Sequence, residues 1–242
     1  MKRKRILAVI PARGGSKRIP RKNIKNFLGK PIIAYSIKAA IDSNIFDEVM
    51  VSTDDKEIAR VAIKYGARVP FFRSIKSSGD FATIDNVMEE VLTKYKKEGK
   101  EYDYVFCIFP TAPFVTADKL KKAFRTIKNT NADAVVAITK FSYPIQRGLK
   151  IDDDGKIAMI WPKNMDTRSQ DLTPSYHDAG QYFCKKTKVL LAKQKTFIEN
   201  TVPIIIPETE VHDIDNKEDW RLAELKFSIS KKGLNNKTHQ IG

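Results

Sequence analysis

A chain of 242 residues, 42% of them hydrophobic, is long enough for one sizeable core with a small subdomain beside it. Its 44 Lys and Arg against 29 Asp and Glu give a formal charge of +15, so the partner to look for is anionic: nucleic acid, a membrane surface or a phosphorylated small molecule. No apolar run approaches a membrane span, "ILAVI" is too short for the core of a secretory signal, and the two cysteines sit inside apolar strands ("YVFCIF", "QYFCKK") as small buried hydrophobes, the pattern of a reducing cytoplasm.

From the amino end, the basic run at 2–5 reads as a solubilising flank to the first strand, "ILAVI". Strand-length apolar runs and amphipathic stretches of helix length then alternate: "IIAYSIKAAIDS", "EVMVS", "KEIARVAIKYG", "ARVPFF", "TIDNVMEEVLTKYKKEG", "DYVFCIF", "TADKLKKAFRTIKNT" and "ADAVVAIT". Continuous apolar strands separated by helices predict an α/β domain, a mainly parallel twisted sheet with helices on both faces. Pro31 is expected in a first helical turn, Thr116 just before one, and Gly66 and Gly99 at left-handed positions after their helices.

After Thr139 the alternation stops. Residues 141–176 offer short strands around a "DDDG" turn and no helix, an excursion too long for a plain loop and suited to a lid or an oligomer contact. The strand "QYFCKK", a short helix over 188–193, the strand "VPIII" and a helix from 217 to about 228 complete one domain over 1–242, with 231–242 read as a flexible tail.

The first strand ends at Pro11 and delivers "ARGGS" at its carboxyl end, where open parallel sheets bind ligands. Glycines let backbone N–H groups converge on an anion, and Arg13, Lys17, Arg18, Arg21 and Lys22 add countercharge. About a dozen cationic residues precede the first acid, Asp42. The anion this suits is a polyphosphate, although the spacing is neither that of a P-loop nor that of a dinucleotide fold. A polyphosphate under attack needs a divalent cation. "HDIDNKED" sets Asp213 and Asp215 two apart on an extended segment, so both carboxylates face one side with the hard oxygen donors of Mg²⁺; capping of the next helix is the alternative for Asp215. The stretch "RSIKSSGDFAT" follows a strand expected to end near Phe71 and would lie over the same sheet edge, with Asp85 beyond it as first-turn charge on the helix dipole.

"IPARGGSKRIPRKN" followed by "GKPIIAYSI", "VSTDDKEIA" and "FPTAPF" resembles the CMP-sugar synthetases, cytidylyltransferases of nonulosonic acids, and the likeness runs over nearly the whole chain. "FSYPIQRGLKI", "IWPKN", "RSQDLTPSYHDAGQYF" and "VHDIDNKEDW" resemble the pseudaminic acid branch more than those using sialic acid or ketodeoxyoctonate. The ketodeoxyoctonate enzymes carry a metal-ligating aspartate in the segment matching "FPTAP", and this chain has none there. The resemblance implies a GT-A-like nucleotidyltransferase that moves CMP from CTP to the anomeric hydroxyl of pseudaminic acid and releases pyrophosphate. It implies CTP contacts from Ala12, Arg13, Gly14, Gly15, Ser16, Lys22 and Asn23, with Arg13, Lys22 and Asp215 as the catalytic set and Asp213 and Asp215 on Mg²⁺. It also matches Arg73 and Thr83 to cytosine contacts, against plainer duties as an ion-pair partner and a helix cap.

An acidic nine-carbon sugar calls for arginine, which grips a carboxylate in bidentate fashion, and Arg147 and Arg168 are the candidates. Gln170, Tyr176, His177, Asp178 and Gln181 would complete a polar sugar pocket; His177 and Asp178, adjacent on a strand, point oppositely and make a poor acid–base couple. The excursion matches the segment through which family members form homodimers. Competing readings are a legionaminic or sialic acid enzyme, a transferase acting on a sugar 1-phosphate, and a basic nucleic-acid module, for which interleaved surface aromatics are missing. The expected setting is therefore the cytoplasm, with CTP and an acidic sugar as partners, and neither nucleic acid nor membrane.

Overall fold

The computed structural model describes residues 3–79, 82–193 and 198–238. The chain runs β1 (Ile6–Pro11), a two-rung hairpin of β2 (Asn26–Phe27) and β3 (Lys30–Pro31), α1 (Ile33–Ser43), β4 (Glu48–Ser52), α2 (Lys56–Lys64), α3 (Ile75–Ser78), α4 (Ile84–Lys97) and β5 (Tyr104–Ile108). It continues through α5 (Ala117–Asn129), β6 (Ala134–Lys140), the hairpin of β7 (Leu149–Ile151) and β8 (Ile157–Met159), β9 (Tyr176–Lys186), α6 (Thr187–Lys193), β10 (Thr201–Ile205) and α7 (Lys217–Thr238). Among the described residues no helix is long and apolar enough to cross a membrane.

The α/β reading is borne out. Six strands form one sheet in the order β10-β6-β9-β5-β1-β4. β1 pairs in parallel with β4 and β5, and β10 with β6, whereas β9 runs antiparallel between β5 and β6. β1 is buried along its whole length, as a strand covered on both faces must be. Ile33, Ile37, Ile58, Leu120, Ala123 and Ile127 of α1, α2 and α5 cover one face. Met88, Val91, Leu92 and Tyr95 of α4 cover the other, over Leu7, Val9, Val105, Cys107 and Phe183. Both thiols are buried and free, as the apolar strands around them required, and burial pushes both up.

Three expectations need correction. "ARVPFF" is not a strand: beside β4 it makes a single parallel bridge, Met50 to Arg68, because Pro70 has no N–H to carry a ladder onward. Pro31 is not in a helical turn but on the β2–β3 hairpin, whose turn places Leu28 and Gly29 at φ 46° and 96°. α7 continues to Thr238, so 231–238 are helical, and only 239–242 of the expected tail lie outside the described residues. Asp85 stands in the first turn of α4 as expected, where it is 6% exposed and paired with a lysine of the sheet. The expected caps hold: Thr116 accepts from Lys119 N–H at the start of α5, and Gly66 and Gly99 have φ of 93° and 73°.

A third cluster stands apart from the two sheet faces: Ile19, Phe27, Ile32, Tyr35, Phe114, Ile214, Trp220, Ala223 and Phe227. Phe27 lies edge-on to Tyr35, Trp220 and Phe227 at 5.5, 5.6 and 5.6 Å. These contacts fasten the end of the chain to the loop that follows β1. Truncation of Phe27, which is 0% exposed, to alanine is expected to cost about 3–5 kcal/mol. Urea unfolding of Phe27→Ala beside the parent checks this, and a loss under about 1 kcal/mol would show that the cluster does not hold the two chain ends together.

Candidate active site

β1, β4 and β5 end at one edge of the sheet, and the loops that follow them enclose a pocket of about 500 Å³. Arg13, Ser16, Lys17, Arg18 and Lys22 of the basic loop line it with Asp215, and so do Arg73, Ser77, Ala82, Ile84 and Val87. Phe109, Pro110 and Thr111, from the "FPTAP" segment, border it too. Among the described residues five cations thus line the pocket with one carboxylate, a surface suited to a polyanion. A second cavity, of about 480 Å³, opens around Lys4, Tyr102, Asp103 and Lys186 at the amino end of β5. Its Lys4 and Lys186 are already matched by Asp103 and Asp133 at 2.7 and 2.9 Å.

The basic loop is held from behind by acids of the β4–α2 connection. Gly14 N–H donates to Asp54 at 2.8 Å, so in this structure that amide is occupied. Arg21, at φ 57°, grips Asp55 with both terminal nitrogens and also reaches Glu57, which takes it out of the phosphate countercharge expected of it. The guanidinium brings the Asp55 carboxyl down to about 2. Asp55 also caps α2, accepting from the N–H groups of Glu57 and Ile58. The glycine at 14 has its own reason: a Cβ there would stand 2.8 Å from Asp55 Oδ2, whereas one at Gly15 would meet nothing within 4 Å. Ser16 borders the pocket, and Asn23 does so from a buried position, donating to Arg13 O at 2.9 Å and so bracing the turn from Ala12, which is itself fully buried.

Lys22 and Asp215 meet across the chain. Lys22 Nζ donates to Ile214 O at 2.6 Å and lies 3.8 Å from Asp215, whose carboxylate also takes Arg18 at 2.8 Å. Ile214 is 0% exposed in the aromatic cluster, so Asp213 and Asp215, flanking it on an extended segment, both stand outward. Asp215 does not cap α7. Asn216 does, accepting from Glu218 and Asp219, and Asp219 returns bonds to the Asp215 and Asn216 amides. Asp213 lies toward Gly180 of β9, and burial, with the charge of Asp213 adding to it, raises the Asp178 carboxyl. Both carboxylates stand outward and Asp215 lines the cationic pocket, so the donor set offers the hard oxygens that suit Mg²⁺. Among the described residues no group of three or more His, Cys, Asp or Glu is arranged to hold a metal by itself.

Arg73 belongs to this pocket. Its Nε and Nη2 donate to Ser52 Oγ and Ser52 O at 3.2 and 2.7 Å, and burial lowers the guanidinium from its usual value. That fixes the plane of the cation against the end of β4 and leaves an edge for a ligand. Thr83 is engaged as the cap of α4 in a reciprocal box with Asn86, the plainer of its two readings. Reading the sequence missed Ser52, Ser77, Ile84 and Val87; the position of Ser52 at the carboxyl end of β4 was the one available signal.

None of the sugar candidates is among the residues lining this pocket. Arg147 donates to Ser169 and Arg168 pairs with Asp171 at 2.7 Å, both inside the excursion beside exposed Gln170. Tyr176 and His177 are exposed on β9, with His177 set against Phe141. Asp178 accepts from Gly180 N–H at 2.7 Å. Gln181 is 2% exposed and its Nε2 donates to Glu210 O, which makes it a support beneath β9 rather than an open contact.

The sequence profile of the cytidylyltransferases matches residues 7–205. The chain belongs to the cytidylyltransferase family. A pseudaminic acid cytidylyltransferase of Campylobacter jejuni is 41% identical over 224 residues, 93% of this chain and 97% of that one. A CMP-N,N'-diacetyllegionaminic acid synthase of Legionella pneumophila is 34% identical over 237 residues, 95% and 99% of the two chains. In fold, a CMP:2-keto-3-deoxy-manno-octonic acid synthetase complexed with CTP superposes with a TM-score of 0.68 at 15% identity, covering 95% of this chain and all of that one. The cytidylyltransferase fold thus confirms the nucleotidyltransferase architecture expected from the sequence.

The two loop glycines should separate in experiment. Gly14→Ala is expected to destabilise the protein by about 1–3 kcal/mol through its collision with Asp55, and Gly15→Ala by under about 0.5 kcal/mol. Thermal unfolding of both variants tests the difference; equal losses would mean that the Gly14–Asp55 approach does not constrain the loop.

Proposed function

We propose that this cytidylyltransferase joins CMP from CTP to the anomeric hydroxyl of pseudaminic acid, releasing pyrophosphate, in the cytoplasm. The observation that carries the reading is the meeting of Lys22 and Arg18 with Asp215 in a pocket that Arg73 also lines. A triphosphate lies against Arg13, Lys17, Arg18 and Lys22, and the base lies toward Arg73, Ser77, Ile84 and Val87. Cytosine offers acceptors at O2 and N3, which suit a fixed guanidinium edge. The identity of 41% to the Campylobacter jejuni enzyme favours pseudaminic acid over the 34% relative named for legionaminic acid.

In the reaction the sugar oxygen bonds to the α-phosphorus as the bond to the β-phosphate oxygen breaks; the hydroxyl proton leaves to solvent and pyrophosphate departs. Lys22 and Arg13 offset the charge that grows on the phosphates, and the rigid loop keeps attacking and leaving oxygens in line. Asp213 and Asp215 would hold Mg²⁺, which when bound neutralises phosphate charge and favours ionisation of the hydroxyl. Lys22→Ala and Asp215→Ala are each expected to lower kcat/KM by at least a hundredfold, and chelation to abolish turnover. Pyrophosphate release measured with each nucleoside triphosphate against pseudaminic, legionaminic and sialic acids and a sugar 1-phosphate is the test. Turnover near the parent level in both variants, or a preference for another acceptor, overturns the assignment.

The excursion supports a homodimer. Tyr143, Leu149, Ile151, Ile157 and Met165 are 85, 59, 74, 69 and 59% exposed on and around the β7–β8 hairpin, an apolar patch fit for a second copy of itself. Arg147 and Arg168 then reach toward the sugar end of the partner's pocket. Sedimentation at working concentration should give twice the chain mass of 27.5 kDa; a monomer mass refutes the dimer.

A further inference from the structure

Lys185 is the least expected side chain in the protein. It is 1% exposed in β9, between Val105 of β5 and Ala134 of β6, on the sheet face that carries the apolar cluster under α4. Its ammonium lies 4.9 Å from the centre of the Phe183 ring, two residues back along the strand. The side chain therefore runs inside the core, along the sheet, toward the carboxyl ends of the parallel strands. There it meets Asp85 at 3.1 Å, an acid in the first turn of α4 that is itself 6% exposed.

Asp85 sits between Ile84 and Val87, which line the pocket, and follows the segment that supplies Ser77, Gly79 and Ala82 to it. An ion pair taken out of water is a poor source of net stability, since two apolar side chains of similar size hold a core as well or better. What it does supply is direction: an ammonium and a carboxylate meet at one distance, where apolar side chains slide. Here the pair ties the start of α4 to the strand that runs through the centre of the sheet.

Building on the nucleotide reading above, we propose that Asp85 and Lys185 are positioning residues for the nucleoside. Their ion pair fixes the register of the first turn of α4 on the sheet, and so fixes Ile84 and Val87 against the base bound beside Arg73. Neither residue touches the nucleotide. The consequence is a defect in CTP binding without a defect in chemistry when the pair is replaced by apolar side chains that keep the core filled.

The test is the double variant Asp85→Leu/Lys185→Met beside the parent, because each single substitution strands a buried charge and invites unfolding. Three readouts are taken: thermal midpoint, CTP affinity by calorimetry without sugar, and KM against kcat for CTP. The double variant is expected to melt within a few degrees of the parent, to lose about tenfold in CTP affinity with KM rising in step, and to keep kcat within about twofold. Amide hydrogen exchange should rise at 84–88 and stay unchanged along β1. Parent-like affinity and exchange in a folded double variant overturn the proposal, and a collapse of the thermal midpoint assigns the pair to stability instead. If the parent itself binds no CTP, the nucleotide reading fails, and exchange at 84–88 still decides whether the pair sets the start of α4.

Discussion

The site depends on one packing contact, the seating of Ile214 among Phe27, Trp220 and Phe227 beside Ile19 of the basic loop. Lys22 and Ile214 are 192 positions apart, and the entropy of joining such distant segments is repaid by apolar burial rather than by the charges that meet above it. An exposed carboxylate facing a lysine and an arginine is worth little by itself. The aromatic cluster brings the acidic segment to the cations, and the charges are then free to serve a ligand.

The electrostatics follow from that order. Cations gathered at a pocket mouth repel one another, a cost that the fold limits by committing Arg21 to Asp55 and Glu57 and by giving Asp215 to Arg18 and Lys22. Asp54 and Asp55 stand behind the loop and shape it. The loop is thus tethered at Gly14, Arg21, Lys22 and Asn23 before any phosphate arrives, which lowers the cost of ordering it on binding.

Much of this was legible in the sequence because period and punctuation speak of local structure. Alternating apolar runs foretold the layers, and "ARGGS" after a buried strand foretold a cation-lined pocket at its end, since both depend on neighbours in the chain. What stayed hidden was pairing between distant side chains. Arg21 and Arg18 look alike in "SKRIPRKN", and only the acids of α2 decide which of them is spent on structure. Likewise "CKK" at the end of β9 looks like a strand running out into water, yet Lys185 turns inward to an acid a hundred residues earlier. The failed strand at 67–72 has a local reason, proline, whose weight against an otherwise strand-like run was misjudged.

The antiparallel course of β9 explains how the residues proposed for the sugar come to the same sheet edge as the cationic pocket. β6 ends at the same sheet edge as β1, β4 and β5, and the excursion that follows holds no helix to carry the chain back across the sheet. β9 must therefore start where β6 stops, and it brings Tyr176, His177 and Asp178 to the ligand edge at its first residues rather than its last. The cationic pocket is built by parallel strands and their loops, and the residues proposed for the sugar come from a returning strand and an excursion. A change in the length or sequence of 141–176 can then alter the acceptor side while leaving the phosphate loop, Arg73 and Asp215 where they are, because none of the residues lining the nucleotide pocket belongs to that segment.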